Sequence, residues 1–243
     1  MAAPRPWTVD PHDPIDRHED NLWSVVGDIP GMALRRRMTL ARLRDGRVVV
    51  HNAVCVDERS MKAITDWGEV AVIVVPNAFH RLDAHAWRER FPQARVLCPA
   101  GATAKVRAML EVDGDYGAFH GDDTVRLDTL DGVARAEGVL AVTSGDRASL
   151  VFNDVLFNQP DLPGFQGWVM KTFGSTGGPK VTRVARWFLV KERPAFQAEL
   201  LRLADTAGLV RVIPGHGDVI DVQAAATLRG VANLLCPIGP ARV

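Results

Sequence analysis

The sequence predicts an α/β fold of the αββα type, with two mixed β-sheets packed face to face and helices on the outside. The prediction rests on an order of elements that occurs twice. The first half opens with an antiparallel pattern, Met38 to Arg44 and Arg47 to Val54 about an Asp45-Gly46 turn, then alternates strand and helix from Val70 to Leu97. The second half repeats it, with short strands from Val125 to Phe157, then helices and a last strand, Leu209 to Ile213. Each half makes a sheet with one face to bury, and the simplest solution is to stack the two.

In chain order, residues 1–20 are rich in proline, aspartate and histidine and lack periodicity, so they read as an extended arm with His12 and His18 solvated. A single domain is expected over 21–243. Leu22 to Val26 is a first strand, ended by Gly27-Asp28 and Pro30-Gly31, and the basic triplet Arg35-Arg36-Arg37 reads as a solvated loop. RVVVHNAV (Arg47 to Val54) is a strong β-branched strand interrupted near its end by His51 and Asn52. Asp57 to Asp66 is helical after an acidic start and stops at Gly68. VAVIVV (Val70 to Val75) is a continuous apolar run, the mark of a strand buried on both faces. A loop bearing Asn77, His80, Arg81 and Asp83 follows, then a helix over 83–91 and a strand, Ala94 to Leu97.

Ala102 to Leu110 is expected to be a helix and 111–123 a loop. From Val125 come VRLDTL, GVLAVTS and ASLVFNDVLF, a meander of short strands. Residues 159–181 read as a turn-rich, lid-like segment. Its GSTGGPK lacks a leading buried strand and has Pro179 before the lysine, which excludes a phosphate loop. Val184 to Val190 and Pro194 to Asp205 are helices, the second with proline in its first turn, and Gln223 to Leu235 is a closing helix.

Composition narrows the function. The 243 residues carry 29 acidic and 29 basic side chains, 47% are hydrophobic and 24% charged, as in an ordinary globular protein. A balanced charge offers no basic face for a phosphate backbone, so nucleic acid is not an expected partner. Cys55, Cys98 and Cys236 are too few and too scattered for a disulfide framework or a zinc ribbon. The N-terminal stretch has no apolar signal region and no uncharged run is long enough to span a bilayer. A cytoplasmic protein acting on a small molecule, without membrane partners, is the expectation.

The candidate site starts at LVRVIPGHGDVI. A buried strand ends at Pro214-Gly215, and glycines on both sides of His216 let the backbone turn sharply and aim the imidazole into a cleft. Asp154 lies within the apolar run Leu150 to Phe157, where a bare carboxylate is costly unless it is paired or bound to a cation. Asn77, His80 and Asp83 collect after the strand Val70 to Val75, and Glu137 stands just ahead of the strand GVLAV. His51 is either a satisfied core histidine or a residue lining the site.

Taken together, these stretches resemble the metallo-β-lactamase fold superfamily over roughly residues 20–235. IPGHGD is similar to the family's last metal-binding loop, SLVFNDVLF to the hairpin strand that ends in a metal-bridging aspartate, and VAVIVVPNAFHRLD to the strand leading into His-x-His-x-Asp-His. The chain departs from that first motif. With Asn77 at its first histidine, the later positions fall on Phe79, Arg81 and Leu82; shifted by one residue, His80 and Asp83 match but Ala78 and Leu82 do not. Glu137, in ARAEG, stands where the family has a histidine before the hairpin. No register supplies the full two-metal ligand set.

The resemblance implies a reduced set of ligands, His80, Glu137, Asp154 and His216, with Asp83 and His51 in reserve. Such a set suits one Zn, Mn or Fe ion. Asp154, Glu137 and His80 are then the candidate catalytic residues, and Asn77, His51 and Arg81 the candidate substrate-binding ones. The expected activity is hydrolysis of an ester, thioester, lactone or phosphoester. The competing reading is a metal-free member that binds a small molecule or does acid–base chemistry with the same residues.

Overall fold

The computed structural model describes residues 5–236. Six strands form the first sheet in sequence order: β1 (Asp16–Glu19), β2 (Leu22–Asp28), β3 (Arg35–Arg42), β4 (Arg47–His51), β5 (Glu69–Val74) and β6 (Arg95–Leu97). The first four pair antiparallel, and the last two join in parallel through α1 (Glu58–Trp67) and α2 (Ala84–Arg90). Asp57 caps α1 by accepting the Ser60 N–H at 2.7 Å. A short 3₁₀ turn and α3 (Thr103–Arg107) replace the longer helix expected over 102–110.

The second sheet has the order β12-β9-β8-β7, from β7 (Val125–Thr129), β8 (Gly138–Ser144), β9 (Arg147–Val151) and β12 (Leu209–Ile213). Only the β9–β12 pair is parallel. Between β9 and β12 run β10 (Phe157–Gln159), α4 (Gly164–Thr172), β11 (Gly178–Lys180), α5 (Arg183–Phe188) and α6 (Arg193–Ala204), and α7 (Ala224–Asn233) closes the fold. The segment expected to be an irregular lid thus holds a helix and a two-stranded β10–β11 pair.

Strand periodicity sorts the side chains into four layers. On β4, Val48 and Val50 face the helices α1 and α2, whereas Val49 faces the opposite sheet. On β8, Leu140 and Val142 meet the first sheet, and Val139 packs with Phe196 and Leu200 of α6 and Leu228 of α7. The αββα arrangement is therefore present, with an apolar core between the sheets and another beneath each helical layer. Among the described residues no helix is long and apolar enough to cross a membrane.

Three local expectations are corrected. Residues 16–19 are not arm but an edge strand, and His18 is half-buried there with its Nε2 2.9 Å from Ser24 Oγ. The preceding residues are also docked. Trp7 donates to Val56 O and its ring packs 5.5 Å from Trp87, while His12 Nε2 accepts the Asp57 N–H. The triplet Arg35-Arg36-Arg37 lies in β3, and Arg36 and Arg37 are buried. Both find partners inside: Arg36 donates to Ala53 O and Asp83, and Arg37 to Ser24 Oγ and Gly217 O. Finally, β9 ends at Val151, so Asp154 stands in a loop at the strand's C-terminal end and not inside a strand.

Candidate metal centre

The two sheets meet at one edge through the His216 loop. β3 extends beyond its pairing with β4, and this free stretch receives the loop: Arg37 N–H donates to Gly215 O at 2.8 Å. Gly217 has φ +85° and its α-carbon approaches Asn158 O so closely that a Cβ has no room. Gly215 packs equally tightly on Asn153. The glycines flanking His216 therefore serve close backbone approach as well as the turn.

His80, Asp154 and His216, drawn from three loops, meet at a point. His80 Nε2 lies 2.9 Å from Asp154 Oδ1, His216 Nε2 lies 3.3 Å from the same oxygen, and the two Nε2 atoms are 3.2 Å apart. The hydrogen-bond network fixes both tautomers. His216 Nδ1 is 2.6 Å from the Arg35 carbonyl, which only accepts, so Nδ1 carries the proton. His80 Nδ1 is 3.0 Å from Asn52 Oδ1, and Asn52 is oriented by its own Nδ2, which donates to Arg37 O at 2.8 Å. In that tautomer each imidazole turns an Nε2 lone pair toward the other and toward Asp154. Three acceptors converge, and none of them brings a proton.

Such a set of acceptors could hold a cation. Ligand atoms around a tetrahedral ion with bonds of about 2.0–2.1 Å lie about 3.3 Å from one another, close to the separations here. Two imidazole nitrogens and one carboxylate oxygen form a donor set that Zn, Mn and Fe accept. Among the described residues this is the cluster of histidine and carboxylate groups placed to hold an ion. The electrostatics agree with the geometry. Burial raises the Asp154 carboxyl, and it falls below the usual carboxylate range only where His80 and His216 present positive charge or a proton to it, a part that a bound cation would take. Burial lowers the His80 imidazole below its ordinary value against the pull of Asp154, which keeps it neutral and able to ligate.

Glu137 is placed differently from its expected role as ligand and catalytic group. It is fully buried behind the loop that carries Asp154, where its carboxyl accepts the N–H groups of Asn153, Asp154 and Val155 at 2.9, 2.9 and 3.2 Å. Its fourth donor is Asn77 Nδ2 at 3.0 Å, and the same amide also donates to Asp154 Oδ2 at 2.9 Å. Burial and the neighbouring Asp154 charge raise the Glu137 carboxyl above its ordinary value, and the hydrogen bonds from Asn77, Val155 and Asn153 oppose the shift. Its oxygens are taken, so it holds the loop in place.

The other candidates also sit away from the point where His80, Asp154 and His216 meet. Asn77 is fully buried, and its Oδ1 accepts the Phe79 and His80 N–H groups, so it shapes the loop and offers nothing to a substrate. His51 is buried and absent from the cavity wall; burial lowers its imidazole to about 3, so it is a neutral core histidine. Arg81 turns outward to Lys105 O. Asp83 pairs with Arg36 and accepts the Cys55 N–H at 2.8 Å. Sequence reasoning missed Asn52, which orients His80. Its signal is a polar residue ending a buried strand, and it adopts φ +59°, a conformation that asparagine tolerates better than most side chains.

The His80, Asp154 and His216 side chains border a cavity of about 520 Å³ covered by α4 and α5. Phe157 packs against the His216 ring at 4.6 Å between centroids.

No protein-family model matches the chain, and no curated protein does. Solved structures match in fold. DIM-1 metallo-β-lactamase aligns with a TM-score of 0.56 over 90% of this chain and 96% of its own, at 13% identity. TMB-1 aligns at 0.54 over the same shares, also at 13% identity. A metallo-β-lactamase from Pontibacter korlensis aligns at 0.55 over 90% of this chain and 98% of its own, at 12% identity.

Proposed function

The chain has the metallo-β-lactamase fold, and from that premise we propose that it is a hydrolase working with one divalent ion, Zn, Mn or Fe, held by His80, Asp154 and His216. The proposed substrate is a small molecule bearing an ester, thioester, lactone or phosphoester bond. The observation that carries the reading is the convergence of two imidazole lone pairs and a carboxylate with no proton donor among them. A bound ion would supply Lewis acidity and a water acidified toward neutral pH.

The protein's own groups set the stage for that chemistry. Asn52 Oδ1 and the Arg35 carbonyl fix the two ring orientations, and Asn77 holds the second oxygen of Asp154. The apolar cavity wall lowers the local dielectric and so strengthens electrostatic interactions at its end. A single ion is favoured over two because the two departures from the family pattern, Asn77 and Glu137, are bonded to each other. They form a hydrogen-bonded support where a second ion would need ligands. Three unpaired cysteines accord with the proposed reducing, cytoplasmic setting.

Elemental analysis of protein purified without chelator tests this. About one equivalent of metal per chain is expected, lost in Asp154→Asn and in His216→Ala. Asp154→Asn is the sharper variant, because its amide can donate to His80 and so keep the metal-free fold intact by circular dichroism. No metal in any preparation of folded wild-type protein sinks the reading and favours the metal-free one.

A further inference from the structure

We infer that the cavity is built to take the alkyl chain of an amphiphilic substrate, with its polar end at His80, Asp154 and His216. This rests on the hydrolase reading and names the substrate class for it. Apart from those three residues, the wall contains polar side chains only at Arg36, Ser175 and Thr182, and the remaining thirteen of its nineteen residues are apolar. Two of the three are already engaged. Arg36 is bonded to Ala53 O and Asp83, and Thr182 Oγ accepts the Ala185 N–H at the start of α5.

A peptide or a sugar in this space would leave its own N–H and hydroxyl groups without partners, at a cost. A chain of methylenes requires none. The wall also continues without a polar break to the outside. Met32, Phe79, Phe173, Val184 and Phe188 line the cavity and yet are 42% to 63% exposed. The apolar surface that a soluble protein ordinarily hides is here a mouth leading to the candidate metal ligands.

The test is calorimetric titration of the chelator-treated protein with straight-chain 1-alkanols from pentanol to decanol, below their solubility limits, whose uncharged O–H can donate to the converging acceptors. Affinity is expected to rise roughly threefold to fourfold per methylene until the cavity is filled, the factor that corresponds to burial of one CH₂. Val184→Asp and Phe188→Asp replace exposed side chains, so both should fold, and each is expected to weaken decanol binding tenfold or more while changing pentanol less. An affinity independent of chain length overturns the proposal. So does a wild-type dimer that Phe188→Asp splits without any chain-length dependence, because the rim is then an interface with a second copy. The two readings fail separately. A metal-free protein that keeps the chain-length series loses the hydrolase and keeps the cavity, and a metal-loaded protein with a flat series does the reverse.

Discussion

At the floor of the cavity, Glu137, Asn77 and Asp154 are joined by hydrogen bonds that give every carboxylate oxygen a donor except Asp154 Oδ1, which faces the two imidazoles. At its roof, in and beside α4 and α5, Trp168, Phe173, Trp187 and Phe188 are exposed among the described residues. The floor buries two carboxylates and offsets the cost with directed N–H donors, which makes its geometry rigid and its members hard to replace. The roof leaves apolar surface exposed, a choice that contributes little to folding. A substitution in the floor should therefore act on stability first, and one in the roof on binding first.

The largest effect is expected at Glu137. Glu137→Ala strands three backbone N–H groups and the Asn77 amide, and should lower stability by about 3 kcal/mol in urea unfolding of the metal-free protein. Glu137→Gln keeps the volume but sets an amide donor against an N–H, and should cost about 2 kcal/mol. An unchanged midpoint for both would mean that Glu137 is not a support.

His51 extends the comparison to pH. Its pKa falls from an ordinary 6.5 to about 3 on folding, so between those values the unfolded chain binds the proton more readily. Stability should accordingly be independent of this group above about pH 6.5 and fall as the pH drops, by at most about 1.4 kcal/mol per pH unit. Part of the acid slope belongs to His80, which shifts in the same direction. His51→Leu, measured by thermal unfolding across this range, should flatten the slope while leaving the neutral-pH stability nearly unchanged.

Asn52 separates backbone strain from ligand orientation. Asn52→Ala should weaken metal binding about 10- to 100-fold, the usual result of removing a partner that orients a ligating histidine. It should also cost about 1–2 kcal/mol, since alanine resists positive φ. Asn52→Gly restores the backbone preference, so a metal affinity that stays low in the glycine variant isolates the lost His80 contact. The smallest effect is expected in the roof: Trp187→Ser should move stability by no more than about 0.5 kcal/mol. A large loss there would show that the roof is folded core and erase the contrast.

Much of this molecule was legible in its sequence, for local reasons. The continuous apolar run Val70 to Val75 could only be a strand covered on both sides, and the Pro-Gly-His-Gly-Asp stretch could only be a sharp turn presenting an imidazole. Asp154 could be singled out because a carboxylate among Leu150, Val151, Phe152 and Phe157 needs a partner. These are properties of a residue and its chain neighbours, so sequence alone determined the layered fold and placed His80, Asp154 and His216 among the candidate ligands.

The role of Glu137 followed a different logic. A carboxylate near the site reads as a ligand from sequence, and only packing shows that three backbone N–H groups and Asn77 take its oxygens first. The Arg35-Arg36-Arg37 triplet looks solvated until Asp83, Ser24 and Gly217 O, distant in sequence, are found beside it. Whether a polar group faces an ion, a substrate or its own backbone depends on which donors and acceptors come within about 3 Å of it. That is a property of the assembled chain, and tertiary structure alone decided it.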